Sequence, residues 1–210
     1  MKRGVWYLDF VSPFAYLHSR QLGALEGLIE LEPRPVVLAA MLRHWGQKGP
    51  AEITGKRVYS YRYLCWLAKS RGIPFRMPAT HPFNPLPYLR LAIAARCERR
   101  AIDAIFEAVF TSGEDPASPA MLERLARELG VPDPVTAIAA PEVKDQLRKN
   151  TDEAIAAGVF GVPTIVADGE LFWGEESLGM LRDYLRDGAG FMSEDMRRLA
   201  AIVPSATRRG

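Results

Sequence analysis

The chain has 210 residues, 48% of them hydrophobic, with 27 basic against 25 acidic side chains and a net charge of +2. That is enough apolar sequence to bury a sizeable core, and it fits one domain or one domain carrying a large insertion. Basic residues are interleaved with acids, which excludes the one-sided positive field of a nucleic-acid surface, and no run approaches the roughly 18 apolar residues of a membrane span.

Met1-Lys2-Arg3 leads into a short strand-like run rather than a secretory apolar segment, so the expected location is cytoplasmic. Cys65 and Cys97 lie far apart and form no Cys-x-x-Cys pair; they are expected to be buried apolar fillers on helices, and no metal site is expected. Val5 to Phe10 is nearly continuous apolar sequence, the pattern of a strand covered on both faces. Ser12 then stands at an N-cap position and Pro13 at N1, predicting a helix over 14–28. Pro35-Val36-Val37-Leu38-Ala39 predicts a second strand, completing a parallel βαβ unit.

From 46 to 50 the sequence is loop-like, and helical patterns follow over 56–70, 87–99, 101–111, 120–129 and 141–157 with no strand signal between them. Strand character returns at 162–167. An Asp168-Gly169 turn and a strand at 170–173 complete a hairpin, and a helix over 175–186 closes the unit. One more helix is expected over 193–202, then a frayed tail. This order predicts an α/β, thioredoxin-like fold with an all-helical insertion: residues 1–42 and 158–204 form the split domain, 43–157 the insertion and 205–210 the tail.

Two segments carry candidate chemistry. Pro163 heads the strand at 164–166, where a proline marks a strand's first residue or an irregularity. If its bond is cis, the N–H and C=O of Val162 are left to pair with an extended peptide. In the thioredoxin-like layout Val162 lies close to the helix start at Ser12. Redox members carry Cys-x-x-Cys there; this chain reads Ser12-Pro13-Phe14-Ala15, which excludes dithiol exchange by this site. A serine hydroxyl and free N–H groups at a helix start stabilise an anion such as a thiolate. Glutathione, a short peptide with its own cysteine, answers both halves of the site. The plainer alternative for Ser12 is an ordinary N-cap worth about 1 kcal/mol.

Asp9-Phe10-Val11-Ser12-Pro13-Phe14-Ala15-Tyr16-Leu17, Gly158 to Thr164 and Phe172-Trp173-Gly174 resemble the 2-hydroxychromene-2-carboxylate isomerase family, related to kappa-class glutathione transferases and DsbA-like oxidoreductases. The resemblance extends through Gly49 to Ile53, Lys56, Gly72 to Phe75 and Phe83-Asn84-Pro85. It implies a glutathione-dependent isomerase of aromatic catabolism, with Ser12 holding the thiolate. The implied substrate is a small aromatic carboxylate, a hydroxychromene carboxylate converted to trans-o-hydroxybenzylidenepyruvate. Glutathione would be bound by Ser12, Val162, Pro163, Gly174, Glu175, Glu176 and Ser177. Phe14, Trp45, Tyr59, Phe83 and Asn84 would line the substrate, with Lys56 and Arg43 supplying charge. The family commonly shows an amide, an aspartate and an arginine where this chain has Glu175-Glu176-Ser177; Leu42 stands where some members carry a lysine for the substrate, and Tyr63 replaces a frequent aspartate. A homodimer is compatible with the resemblance. Two other readings stay open: a kappa-like transferase, and a non-catalytic thioredoxin-like module that takes an extended peptide. His44 and His81 are given no metal or base role.

Overall fold

The computed structural model describes residues 1–199 and 201–205. Four strands form one mixed sheet in the order β2-β1-β3-β4: β1 (Lys2–Leu8), β2 (Ile29–Pro35), β3 (Thr164–Ala167) and β4 (Glu170–Trp173). β1 runs parallel to β2 and antiparallel to β3, and β3 and β4 make the expected hairpin, with Asp168 (φ 52°) and Gly169 (φ 86°) at its turn. The alternation of β1 sorts the molecule into two cores. Trp6 and Leu8 face a large one shared with Tyr16, Phe106 and Phe110, while Tyr7 faces a smaller one with Val36, Met41, Ala154, Val159 and Val162.

α1 (Pro13–Ser19) packs against α5 (Arg99–Thr111) on the first face, and α2 (Leu38–His44) against α8 (Pro141–Ala156) on the second. Between α2 and β3 every element is helical: α3 (Thr54–Ser70), α4 (Leu86–Ala94), α5, α6 (Pro119–Glu128), α7 (Pro134–Ala139) and α8, with a short 3₁₀ turn at Pro50–Glu52. α9 (Leu178–Arg186), α10 (Gly188–Phe191) and α11 (Glu194–Leu199) follow the sheet. The fold is thus thioredoxin-like with a helical insertion.

Several elements differ from expectation. The second strand is 29–35, not 35–39; its alternating Glu30, Glu32 and Arg34 belong to a half-covered edge, and the apolar stretch after it enters α2. The first helix stops at Ser19, and Leu22–Leu25 is a 3₁₀ turn. The helix expected over 87–99 breaks after Ala94, where Arg96 and Cys97 take positive φ. α7 was not anticipated. The closing helix opens as a 3₁₀ turn, Glu175–Ser177. Cys65 is exposed, and Cys97 lies half-buried in a turn rather than on a helix, its thiol pushed up to about 11 by burial. Ala200 of the expected final helix and residues 206–210 of the expected tail lie outside the described residues.

Gly4 sits in the central strand where neighbouring chains pass closely: a Cβ there would come within 2.8 Å of Ile29 Cδ1 and 2.9 Å of the Val166 carbonyl oxygen. Gly4→Val is expected to cost about 1–3 kcal/mol of stability, because a backbone atom must move. Chemical denaturation measures this, and an unshifted midpoint would contradict the close approach.

Candidate active site

The sheet brings the two sequence-predicted segments to one end. Tyr7, near the end of β1, pairs antiparallel with Thr164, the first residue of β3, so Ser12 and Val162 both lie just beyond the same edge of the ladder. Ser12 is buried and caps α1: its Oγ accepts from the Ala15 N–H at 3.2 Å. The hydroxyl's own proton meets no protein acceptor among the described residues. Its backbone N–H donates to the Asp9 carbonyl at 3.0 Å.

Asp9 builds the turn ahead of Ser12. The carboxylate is wholly buried; Oδ1 accepts from Val11 N–H at 3.0 Å and Oδ2 from Leu38 N–H at 2.9 Å, so one side chain joins the β1–α1 turn to the start of α2. Burial lifts its carboxyl to about 7, against the pull of those two donors.

The Val162–Pro163 bond is cis, and β3 begins immediately after it. Neither backbone group of Val162 takes part in a backbone hydrogen bond among the described residues. The segment is held on both sides: Trp45 Nε1 donates to the Val159 carbonyl at 2.9 Å, and Thr164 Oγ1 to the Gly161 carbonyl at 2.7 Å. Phe160 meets Trp173 edge-on at 5.0 Å, and a Cβ on Gly161 would strike Trp173 Nε1 at 2.8 Å. Gly174 N–H donates to the Pro163 carbonyl at 3.0 Å, tying the turn after β4 to the same place, and α1 packs on the Glu175–Ser177 turn.

The adjacent acids of that turn separate. Glu175 turns inward, 2% exposed at its side chain, and pairs with Arg71 at the end of α3. Glu176 faces solvent with its carboxylate folded over Gly174, whose φ of 94° suits glycine. Ser177 Oγ donates to the Gly174 carbonyl at 2.8 Å.

Among the substrate candidates, Phe14 meets Tyr63 at 6.5 Å, and Tyr63 stacks on Tyr59 at 6.3 Å. Lys56, Tyr59 and Tyr63 share one face of α3, by their spacing of three and four, and Tyr59 is 70% exposed. Lys56 is exposed on that face, and Arg43 is exposed on α2. Trp45 belongs instead to the Val159 segment. Phe83 packs edge-on against His81 and Tyr88, and Asn84 Oδ1 accepts from Leu86 N–H at 3.1 Å at the start of α4.

Sequence reasoning missed four residues at this end: Asp9 as the organiser of the turn, Arg71 as the partner of Glu175, and the pair Tyr61 and His81. The His81 ring meets the Val11 carbonyl at 2.7 Å through Nε2 and the Tyr61 hydroxyl at 2.6 Å through Nδ1. An aspartate inside an otherwise apolar strand end was the one available signal, since a buried carboxylate requires backbone donors. The other three meet partners far away in sequence.

A family model described as a DSBA-like thioredoxin domain matches residues 5–186. The 2-hydroxychromene-2-carboxylate isomerase of Sphingobium xenophagum is 29% identical over 193 residues, covering 87% of this chain and 97% of the relative. Glutathione S-transferase kappa 2 of Caenorhabditis elegans is 24% identical over 204 residues, covering 87% and 91%. The solved structure of a 2-hydroxychromene-2-carboxylate isomerase aligns with a TM-score of 0.76 at 23% identity, over 95% of this chain and 98% of that one, a likeness of fold.

Because the Asp9 carboxyl is raised in the folded state, the stability it contributes is full at acid pH and is lost as pH climbs through about 7. The stability of the wild type relative to Asp9→Asn is therefore expected to decline between about pH 4 and pH 8; a constant difference across that window would contradict it. Arg71→Met should cost about 3 kcal/mol by stranding a buried carboxylate, and adding Glu175→Gln should restore most of it. Denaturation of the single and double variants tests the pair, and strictly additive losses would show no coupling.

Proposed function

Because the chain belongs to the DsbA-like thioredoxin family and opens its first helix with serine rather than cysteine, we propose that it binds glutathione and uses the borrowed thiolate to isomerise a small aromatic 2-oxo acid or its cyclic hemiketal. The observation that carries this reading is the Ser12 hydroxyl. Its oxygen is occupied by the Ala15 N–H while its proton is free to be donated, which is the state suited to an incoming anion. The unpaired backbone of Val162 supports it: an N–H and a C=O at the same end of the sheet suit the main chain of a bound peptide.

In the proposed reaction the hemiketal opens to a conjugated enone. The sulfur bonds to the alkene carbon β to the ketone, and the π pair moves onto the ketone oxygen as an enolate. The former double bond is now single and rotates. The enolate then re-forms the double bond and expels the thiolate, so glutathione is returned. Ser12 lowers the cost of the thiolate at both ends of the cycle. Phe14, Tyr63 and Tyr59 offer flat apolar surface to the aromatic ring, and Lys56, on the face of α3 that carries both tyrosines, a cation for the carboxylate. For glutathione itself, the inward pairing of Glu175 with Arg71 leaves Glu176 as the acid available to the γ-glutamyl ammonium, with the N–H groups after Gly174 near its carboxylate. The likeness to the kappa-class transferase favours a second reading, in which the same thiolate is kept in a stable conjugate.

Ser12→Ala is expected to lower glutathione-dependent turnover by about 100-fold, while the lost cap costs about 1 kcal/mol of stability. Following free thiol in the same assay separates isomerase, which returns glutathione, from transferase, which consumes it. An undiminished rate in the variant would remove Ser12 from the chemistry. Glutathione that fails to raise the melting temperature, where an extended peptide succeeds, would point to a binding module.

A further inference from the structure

We infer that His81 is a positioning residue for the Ser12 site: its ring grips the carbonyl of the Val11–Ser12 peptide, so the helical insertion helps to set the direction of the Ser12 hydroxyl. The inference rests on the glutathione reading above. A carbonyl oxygen can only accept, so the 2.7 Å contact with Val11 places the ring proton on Nε2. In the neutral ring Nδ1 is then an acceptor, and the Tyr61 hydroxyl donates to it at 2.6 Å, with the His81 backbone carbonyl a second, longer acceptor at 3.1 Å. Burial of the ring favours that neutral form.

The mechanical consequence lies in a single peptide plane. Its N–H, on Ser12, is held by the Asp9 carbonyl, and its C=O, on Val11, by His81. A plane fixed at both edges cannot rotate, and Ser12 Cα, from which the hydroxyl projects, is attached to that plane. Asp9 supplies one hold from within the turn. His81 supplies the other from the loop between α3 and α4, the only side-chain hydrogen bond among the described residues that reaches the 9–12 turn from the insertion. Tyr61, which aims the ring, stands on α3 beside Tyr59 and Tyr63, the residues offered to the substrate. The same helix thus presents the substrate wall and steadies the sulfur site.

The test compares His81→Ala, His81→Gln and Tyr61→Phe. Glutamine extends an amide N–H donor to about where Nε2 lies, while alanine removes it. With His81→Ala, thiolate absorbance of bound glutathione at neutral pH should fall and kcat should drop about 10- to 100-fold with KM for the aromatic substrate held; His81→Gln should recover most of both. Tyr61→Phe should shift both readouts in the same direction by less, and it decides the matter should the alanine variant fail to fold. Unchanged absorbance and kcat in His81→Ala, equal losses in the alanine and glutamine variants, or an unaffected Tyr61→Phe alongside a misfolded alanine variant would each overturn the inference. A wild type that shows no thiolate absorbance defeats the glutathione reading instead. The grip itself is then read from hydrogen exchange of the Ser12 amide, which should quicken in the alanine variant and not in the glutamine variant; equal exchange in both would overturn it.

Discussion

The antiparallel pairing of β1 with β3 is the constraint from which the site follows. It sets the last turns of chain before α1 against the first residues after α8, so a hydroxyl near one terminus and an unpaired main-chain segment near the other share one rim. No side chain has to reach across the molecule to achieve this; the ladder does it with hydrogen bonds that ignore sequence. What the sequence adds is the finish at the rim: a buried carboxylate that ties the turn, a serine that caps the helix, and a proline that ends the ladder where β3 begins.

The insertion meets this rim through contacts that differ in chemistry. Arg71 meets a buried acid beside the β4–α9 turn, His81 meets a carbonyl beside Ser12, and Tyr63 lies against Phe14. A charge pair, a neutral hydrogen bond and an aromatic contact respond differently to salt, pH and solvent, so the inserted helices are held by contacts that do not all weaken together. A site shaped at the seam between a sheet and an inserted helical layer is also one whose helical wall can change while the Ser12 and Val162 rim stays put.

Much of this was legible in the residues. Ser12-Pro13 reads as a helix start by capping chemistry alone, and Asp168-Gly169 as a hairpin turn because its dihedral angles exclude most other pairs. The order of elements then gave the architecture. β2 was misread for a physical reason: an edge strand covered on one side alternates charge with apolar and tolerates proline, which imitates a loop, while Val36-Val37-Leu38, packed on both sides, imitates a strand. Aspartate and serine near an apolar strand end were visible, but the partners of Glu175 and His81 were not. Pairings between residues so far apart leave no periodic trace, and a single sequence holds no record of them.

The two outer strands also decide how the sheet meets its surroundings. Val36 N–H points to the Leu8 carbonyl, so along β2 the even-numbered amides face β1 and the odd-numbered ones face outward. Pro33 and Pro35 stand at outward positions, where they delete donors that a docking strand would need. At the opposite border β4 is only four residues long. Both borders of the sheet are therefore poor templates for fibril growth or edge-to-edge self-association.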